Sequence, residues 1–196
     1  MRLVTLYLRS RLAGRTVAVL VAIAALTWLW LWWAGTFAIT LTLLPLAMPL
    51  AGAAVIGTGT GSPFGESETT ASRSLGPLRL GHATAFLLIG TLTLALAVLQ
   101  WSVPDGAWTL VRNLAGFTGL ALLTARVLGS GLSWVAPLGY AVLSLLAVQS
   151  GPAAHWAWPV LAATDREAAV IAAALLLLGL GISTYAGARD SPTETA

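Results

Sequence analysis

The sequence predicts an all-α integral membrane protein: six transmembrane helices, preceded by a helix lying in the interface and interrupted by one short cytoplasmic helix. Three observations predict it. The chain has 196 residues, 58% of them hydrophobic and only 9% charged, where a soluble domain carries about a quarter charged residues. Its mean hydropathy is +0.86. The apolar residues also gather into stretches of the ~17–25 residues that a helix needs to cross the hydrocarbon. After these crossings and their turns, almost no chain is left for a soluble domain.

Residues 3–13 put Leu3, Val4, Tyr7, Leu8 and Leu12 on one helical face, with Arg2, Arg9 and Arg11 mostly off it. That pattern suits a helix lying in the inner interface. A cleaved signal peptide fits less well, because the apolar run that follows is long, rich in Trp and enters another span directly. Spans are expected at about 17–34, 37–57, 82–100, 107–126, 131–149 and 167–186. Only Ala34, Gly35 and Thr36 separate the first two, and Gly35 suits a tight turn. Pro45 and Pro49 fall inside the second span, where each removes a backbone hydrogen bond and together they kink or locally unwind the helix. A fixed bend and a hinge beside a transport path both fit.

The loop 58–81 is the only sizeable polar segment between spans. Ser62 is placed to cap a helix whose first residue is Pro63. Glu66 and Glu68 then sit in the early turns and Arg73 near the end, the arrangement that the helix dipole favours. A short helix over about 63–73 follows, ended by Gly76 and Pro77. Arg126 to Gly131 reads as a tight inner turn. The outer segment 150–166 is partly apolar and is expected to lie along the outer surface, and the tail 188–196 reads as disordered.

Arginine sets the orientation. With both termini cytoplasmic, Arg2, Arg9, Arg11, Arg15, Arg73, Arg79, Arg126 and Arg189 lie inside, and only Arg112 and Arg166 lie towards the outside. This is the positive-inside bias of a multi-pass protein of the cell membrane. Trp28, Trp30, Trp32, Trp33, Trp101, Trp108, Trp156 and Trp158 gather near the outer ends as an aromatic belt.

The remaining composition excludes chemistry. All ten basic residues are Arg, so the chain has no Lys for a nucleotide-binding P-loop or for a Schiff base. The run from Gly57 to Ser62 resembles a phosphate loop only in its glycines. The chain has no Cys, which removes disulfides and thiolate metal sites, and two His at 82 and 155 do not make a metal pair. No catalytic or metal-ligating set is expected. The net charge of +3 comes from Arg residues that flank spans and form no dense patch, so nucleic acid is not expected as a partner.

The span interiors also lack Asp and Glu, with Glu167 and Asp105 at outer ends, which disfavours ion-coupled transport and intramembrane aspartyl proteolysis. Arg112 is the one charge inside a span. It fits a structural Arg that snorkels outward or pairs with Asp105. The less favoured alternative is a cation that, with Asn113, lines an outer vestibule for an anionic or amide-rich cargo.

The arrangement resembles the short permease subunit of ATP-binding-cassette exporters of the ABC type-2 kind. The likeness rests on the amphipathic N-terminal helix, six spans with both ends inside, and a first cytoplasmic loop reading Gly61, Ser62, Pro63, Phe64, Gly65, Glu66, Ser67, Glu68. It covers nearly the whole chain by architecture but only about eight residues by motif. The resemblance implies that this loop carries a coupling helix docking into a separate cytoplasmic ATPase. Phe64 would be the apolar anchor there, and Ser62, Pro63, Gly65, Glu66 and Glu68 its neighbours. It further implies that ATP and Mg are bound by the partner ATPase and that a second copy or a sister permease completes the path. Pro45, Pro49, Arg112 and Asn113 are the substrate-path candidates. The small outer loops do not select among lipid flipping, peptide export and drug efflux. Two other readings stand beside it: a non-transporting structural or regulatory membrane subunit that recruits a cytoplasmic partner, and a membrane enzyme acting on lipid through Ser62 or His82.

Overall fold

A computed structural model describes residues 13–34, 38–61, 76–99, 101, 106–149 and 156–186. Among these residues the chain is all-helical. Six α-helices follow one another: α1 Ala13–Ala34, α2 Ala38–Thr58, α3 Gly76–Val98, α4 Gly106–Leu128, α5 Val135–Gln149 and α6 Arg166–Ala186. Two 3-10 turns, Ser130–Leu132 and Trp158–Val160, precede α5 and α6. Residues 3–12 of the expected interfacial helix, the loop residues Ser62, Pro63, Phe64, Gly65, Glu66 and Glu68, and the tail 188–196 lie outside the described residues.

Local chemistry explains where the helices begin and end. Helix α3 starts at Gly76, six residues ahead of the expected 82, because a proline at 77 is harmless in a first turn, where its missing N–H would have no partner. Gly129 ends α4 in the left-handed region, φ 91°, and its N–H returns to the Ala125 carbonyl at 3.1 Å. The 3-10 turn then delays α5 to Val135 instead of 131. The Asp165 carboxylate caps α6 by accepting from the Ala168 N–H at 2.9 Å.

Helices α1 to α4 alternate in direction, and the contacts at each end show it. At one end Leu31, Leu44, Val98 and Leu110 form a cluster with Trp101 and Ala107. At the other, a Cβ placed on Gly59 would lie 3.4 Å from Thr16 Oγ1 and one on Gly76 would lie 3.0 Å from the Thr184 carbonyl. His82 Nε2 faces the Gly59 carbonyl there at 3.3 Å. The first end carries most of the tryptophans and the second Arg15, Arg79 and Arg126.

Helix α4 is the axis of the bundle. Leu110, Leu114, Phe117 and Ala121 are fully buried along it, and it packs against α2, α3, α5 and α6. Its closest approach is to α6: a Cβ on Gly119 would overlap the Leu175 carbonyl, and one on Gly179 would lie 2.6 Å from the Gly119 oxygen. Only glycine permits this backbone-to-backbone contact, which is how helices pack where small residues replace a hydrophobic driving force.

The outward faces invert the pattern of a soluble protein. Leu88, Leu92, Leu96 and Leu99 form an exposed stripe down α3, and Leu143, Leu146, Val170 and Leu177 do the same on α5 and α6. Inside lie Arg112, Asn113, Thr27, Thr118, Ser133 and Ser144, all buried. Four segments are long and apolar enough to cross a membrane: Gly14–Trp33, Gly76–Val98, Ser130–Ala147 and Arg166–Tyr185. This surface fits a membrane location, since contiguous apolar area on this scale is not tolerated in water. Helix α4 falls outside those four although it is the most enclosed, because Arg112, Asn113 and its threonines lower its hydropathy. A helix wrapped by other helices meets little lipid.

Candidate functional site

Three of the four substrate-path candidates, Pro45, Arg112 and Asn113, meet in one place, in the half of the bundle nearer the tryptophan-rich end, with Pro49 one turn further along α2. Arg112 and Asn113 sit six and seven residues into α4, roughly 9–10 Å along its axis at 1.5 Å per residue. Both are buried, with Arg112 4% exposed and Asn113 0%.

Pro45 and Pro49 explain what Asn113 does. In an α-helix the carbonyl of residue 45 accepts from the N–H of residue 49, and here residue 49 is proline and has none. The Pro45 carbonyl is therefore left without its helical donor in the middle of the bundle. Asn113 Nδ2 supplies one, at 2.9 Å. The same amide nitrogen donates its other hydrogen to the Pro159 carbonyl at 2.8 Å. Asn113 Oδ1 accepts from Arg112 Nε at 3.2 Å. One side chain thus ties α2, α4 and the turn before α6 together.

Arg112 completes the clamp. Its Nη1 donates to the Ala162 carbonyl at 2.7 Å and its Nη2 to the Leu161 carbonyl at 3.0 Å. The Asp165 carboxylate acts on the guanidinium electrostatically from the same segment. The expected pairing partner Asp105 lies outside the described residues.

These bonds account for the segment 156–165, and they correct two expectations. The segment was expected along the outer surface, yet the turn Trp158–Val160 dips into the bundle, with Trp158 and Pro159 buried. Trp158 was expected in the aromatic belt, but it is 0% exposed. Its six-membered ring lies where a Cβ on Gly116 would be. Phe117 lies beside it with ring centroids 5.3 Å apart, and Tyr140 stacks on it at 6.0 Å. The Tyr140 hydroxyl donates to the Trp156 carbonyl, a second tether for the segment. The physical reason for both corrections is the same. Backbone outside a regular α-helix survives inside a bundle only where its polar groups are satisfied, and Arg112 and Asn113 supply donors to three carbonyls of this turn, those of Pro159, Leu161 and Ala162.

Sequence reasoning named Pro45, Pro49, Arg112 and Asn113 but missed Trp158, Pro159, Gly116 and Tyr140. One signal was available. A proline four residues after another inside a span leaves a carbonyl that needs an outside donor, and Asn113 was the amide at matching depth. The Trp158 indole N–H and the Thr118 hydroxyl are buried without a hydrogen-bond partner among the described residues. No group of three His, Cys, Asp or Glu that could hold a metal occurs among the described residues.

No protein-family model, curated protein or solved structure matches this chain.

Proposed function

We propose that the chain is the permease subunit of an ATP-driven exporter: six crossings with both termini cytoplasmic, coupled through the loop 58–81 to a separate ATPase that binds ATP and Mg. The observation that carries the reading is the construction of α2. Helix α2 stays helical from Ala38 to Thr58 with Pro45 and Pro49 inside it, is latched at the Pro45 carbonyl to α4, and leads in sequence to the segment that carries Phe64. A push on that segment by a moving partner would reach the proline-weakened point of α2, where a helix bends at least cost. Four of the six crossings meet the length and hydropathy of a spanning helix unaided. In this reading α2 and α4 are the other two, lined by neighbours instead of lipid.

A specific observation also favours the second reading, a non-transporting subunit that recruits a cytoplasmic partner. Arg112 and Asn113 spend their hydrogen bonds on backbone carbonyls, where a cargo-binding pair would keep donors free.

Purification of the tagged full chain from its native membrane separates these. A co-purifying ATPase with a P-loop lysine, lost in Phe64→Ala at unchanged helix content, supports the coupling reading. Recovery of the chain with no nucleotide-hydrolysing companion overturns it. A complex that hydrolyses ATP but moves neither lipid, peptide nor drug across proteoliposomes favours the recruiting subunit.

A further inference from the structure

We propose that the turn Trp158–Ala162 is a movable plug, seated in the bundle by the Arg112–Asn113 clamp, and that its unseating opens a water-filled vestibule floored by those two residues. The inference stands whether the chain carries cargo or only recruits a partner, because it needs only that the bundle sits in a bilayer.

Four observations point to it. First, the segment has little hold of its own. Its backbone bonds are Val160 N–H to the Ala157 carbonyl at 3.1 Å, Leu161 N–H to the Trp158 carbonyl at 3.4 Å, the latter long, and Asp165 N–H to the Ala162 carbonyl at 3.1 Å, which joins it to the start of α6. Second, three of its carbonyls are held from outside by two adjacent residues of one helix, so a single rearrangement frees them together. Third, the seated position keeps an indole N–H dry. Trp158 Nε1 is buried and without an acceptor among the described residues, and water would satisfy it as soon as the turn moved out. A buried donor of this kind is a cost held in reserve by the seated position. Fourth, the seat is shaped for a removable ring. Gly116 presents no side chain to Trp158, and the contact is ring against backbone, flanked by Phe117 and Tyr140.

Accessible residues flank the buried part of the turn. Trp156, Ala162 and Thr164 are exposed on either side of the buried pair Trp158 and Pro159. When the turn leaves, Asn113 keeps its bond to the Pro45 carbonyl, which the proline at 49 guarantees no helical donor will claim. The floor therefore stays assembled. Arg112, in contrast, loses both carbonyl partners of its Nη atoms and faces the opening with free donors. A guanidinium whose two Nη atoms are both engaged by backbone carbonyls in one position and released in the other would meet an anionic group more readily when the plug is out.

The chain contains no cysteine, so paired labels can be introduced without removing any. Spin labels at Ala162→Cys within the turn and Trp33→Cys at the far edge of α1, both exposed positions, report the plug distance in lipid nanodiscs. The expected result is two distance populations in the otherwise unaltered chain, the longer one gaining about tenfold in weight in Arg112→Gln as two carbonyl bonds are lost. A single narrow population that Arg112→Gln leaves unchanged overturns the proposal. Should Arg112→Gln fail to fold, hydrogen exchange on the unaltered chain decides. Amides of 158–162 that exchange on the order of 100-fold faster than those of α4 support a plug that opens locally, and protection equal to that of α4 overturns it.

Discussion

The bond from Asn113 to Pro45 rests on an argument that a double-mutant cycle tests directly. If Asn113 supplies the donor that Pro49 cannot, then restoring an N–H at residue 49 should make Asn113 less important. Asn113→Leu removes three hydrogen bonds: to the Pro45 carbonyl at 2.9 Å, to the Pro159 carbonyl at 2.8 Å and from Arg112 Nε at 3.2 Å. At ~0.5–1.5 kcal/mol each, with values inside membrane bundles nearer the lower end, the expected loss is about 1.5–3 kcal/mol. Pro49→Ala gives residue 49 an N–H that points along the helix at the Pro45 carbonyl, so in that background one of the three losses is cancelled. Asn113→Leu should then cost about 1 kcal/mol less than it does in the unaltered chain. The assay is reversible unfolding in mixed lipid–detergent micelles, with helix content followed by circular dichroism. Additivity of the two substitutions within about 0.5 kcal/mol would refute the reasoning. It would mean that the Pro45 carbonyl is satisfied some other way, and that Asn113 serves the Pro159 turn alone.

Three further outcomes follow from the packing and the orientation. Gly119→Leu drives a side chain into the Leu175 carbonyl and should cost ~3 kcal/mol or more by separating α4 from α6. Gly181→Ala, beside open space on α6, should stabilise by up to ~1 kcal/mol through helix propensity, and thermal unfolding of the pair checks both signs. Trp158→Ala empties a fully buried site and should cost about 3–5 kcal/mol, whereas Trp158→Phe, which also deletes the unpartnered indole N–H, should cost clearly less in the same unfolding assay. Single cysteines at Thr58 and Trp33, exposed at opposite ends of the bundle, should react with an impermeant maleimide from the cytoplasmic and the external side respectively. Labelling with the sides reversed would overturn the orientation read from arginine.

The helices were legible because they are local. A run of apolar residues with a glycine or proline at its edge carries its own instruction, so α1, α2, α4 and α6 begin or end within a few residues of where the hydropathy put them. Where a boundary moved, as at Gly76 and at Val135, a proline compatible with a first turn or a left-handed glycine moved it. The candidate site was legible only in its parts. Pro45 and Pro49 read as a break, and Arg112 and Asn113 as polar groups too deep in a span to be incidental. Nothing in the linear pattern said that the break and the polar pair answer each other across 68 positions of sequence.

The sequence by itself determined that this chain is helical and apolar outward, and where its helices are weakened, since these follow from residue type and spacing. Only the tertiary structure decided what its buried polar groups are for. Each carbonyl freed by a proline or by a non-helical turn must find a donor in a place water does not reach, and which side chain stands within 3 Å of it is settled by how six helices pack, not by the order in which they are written.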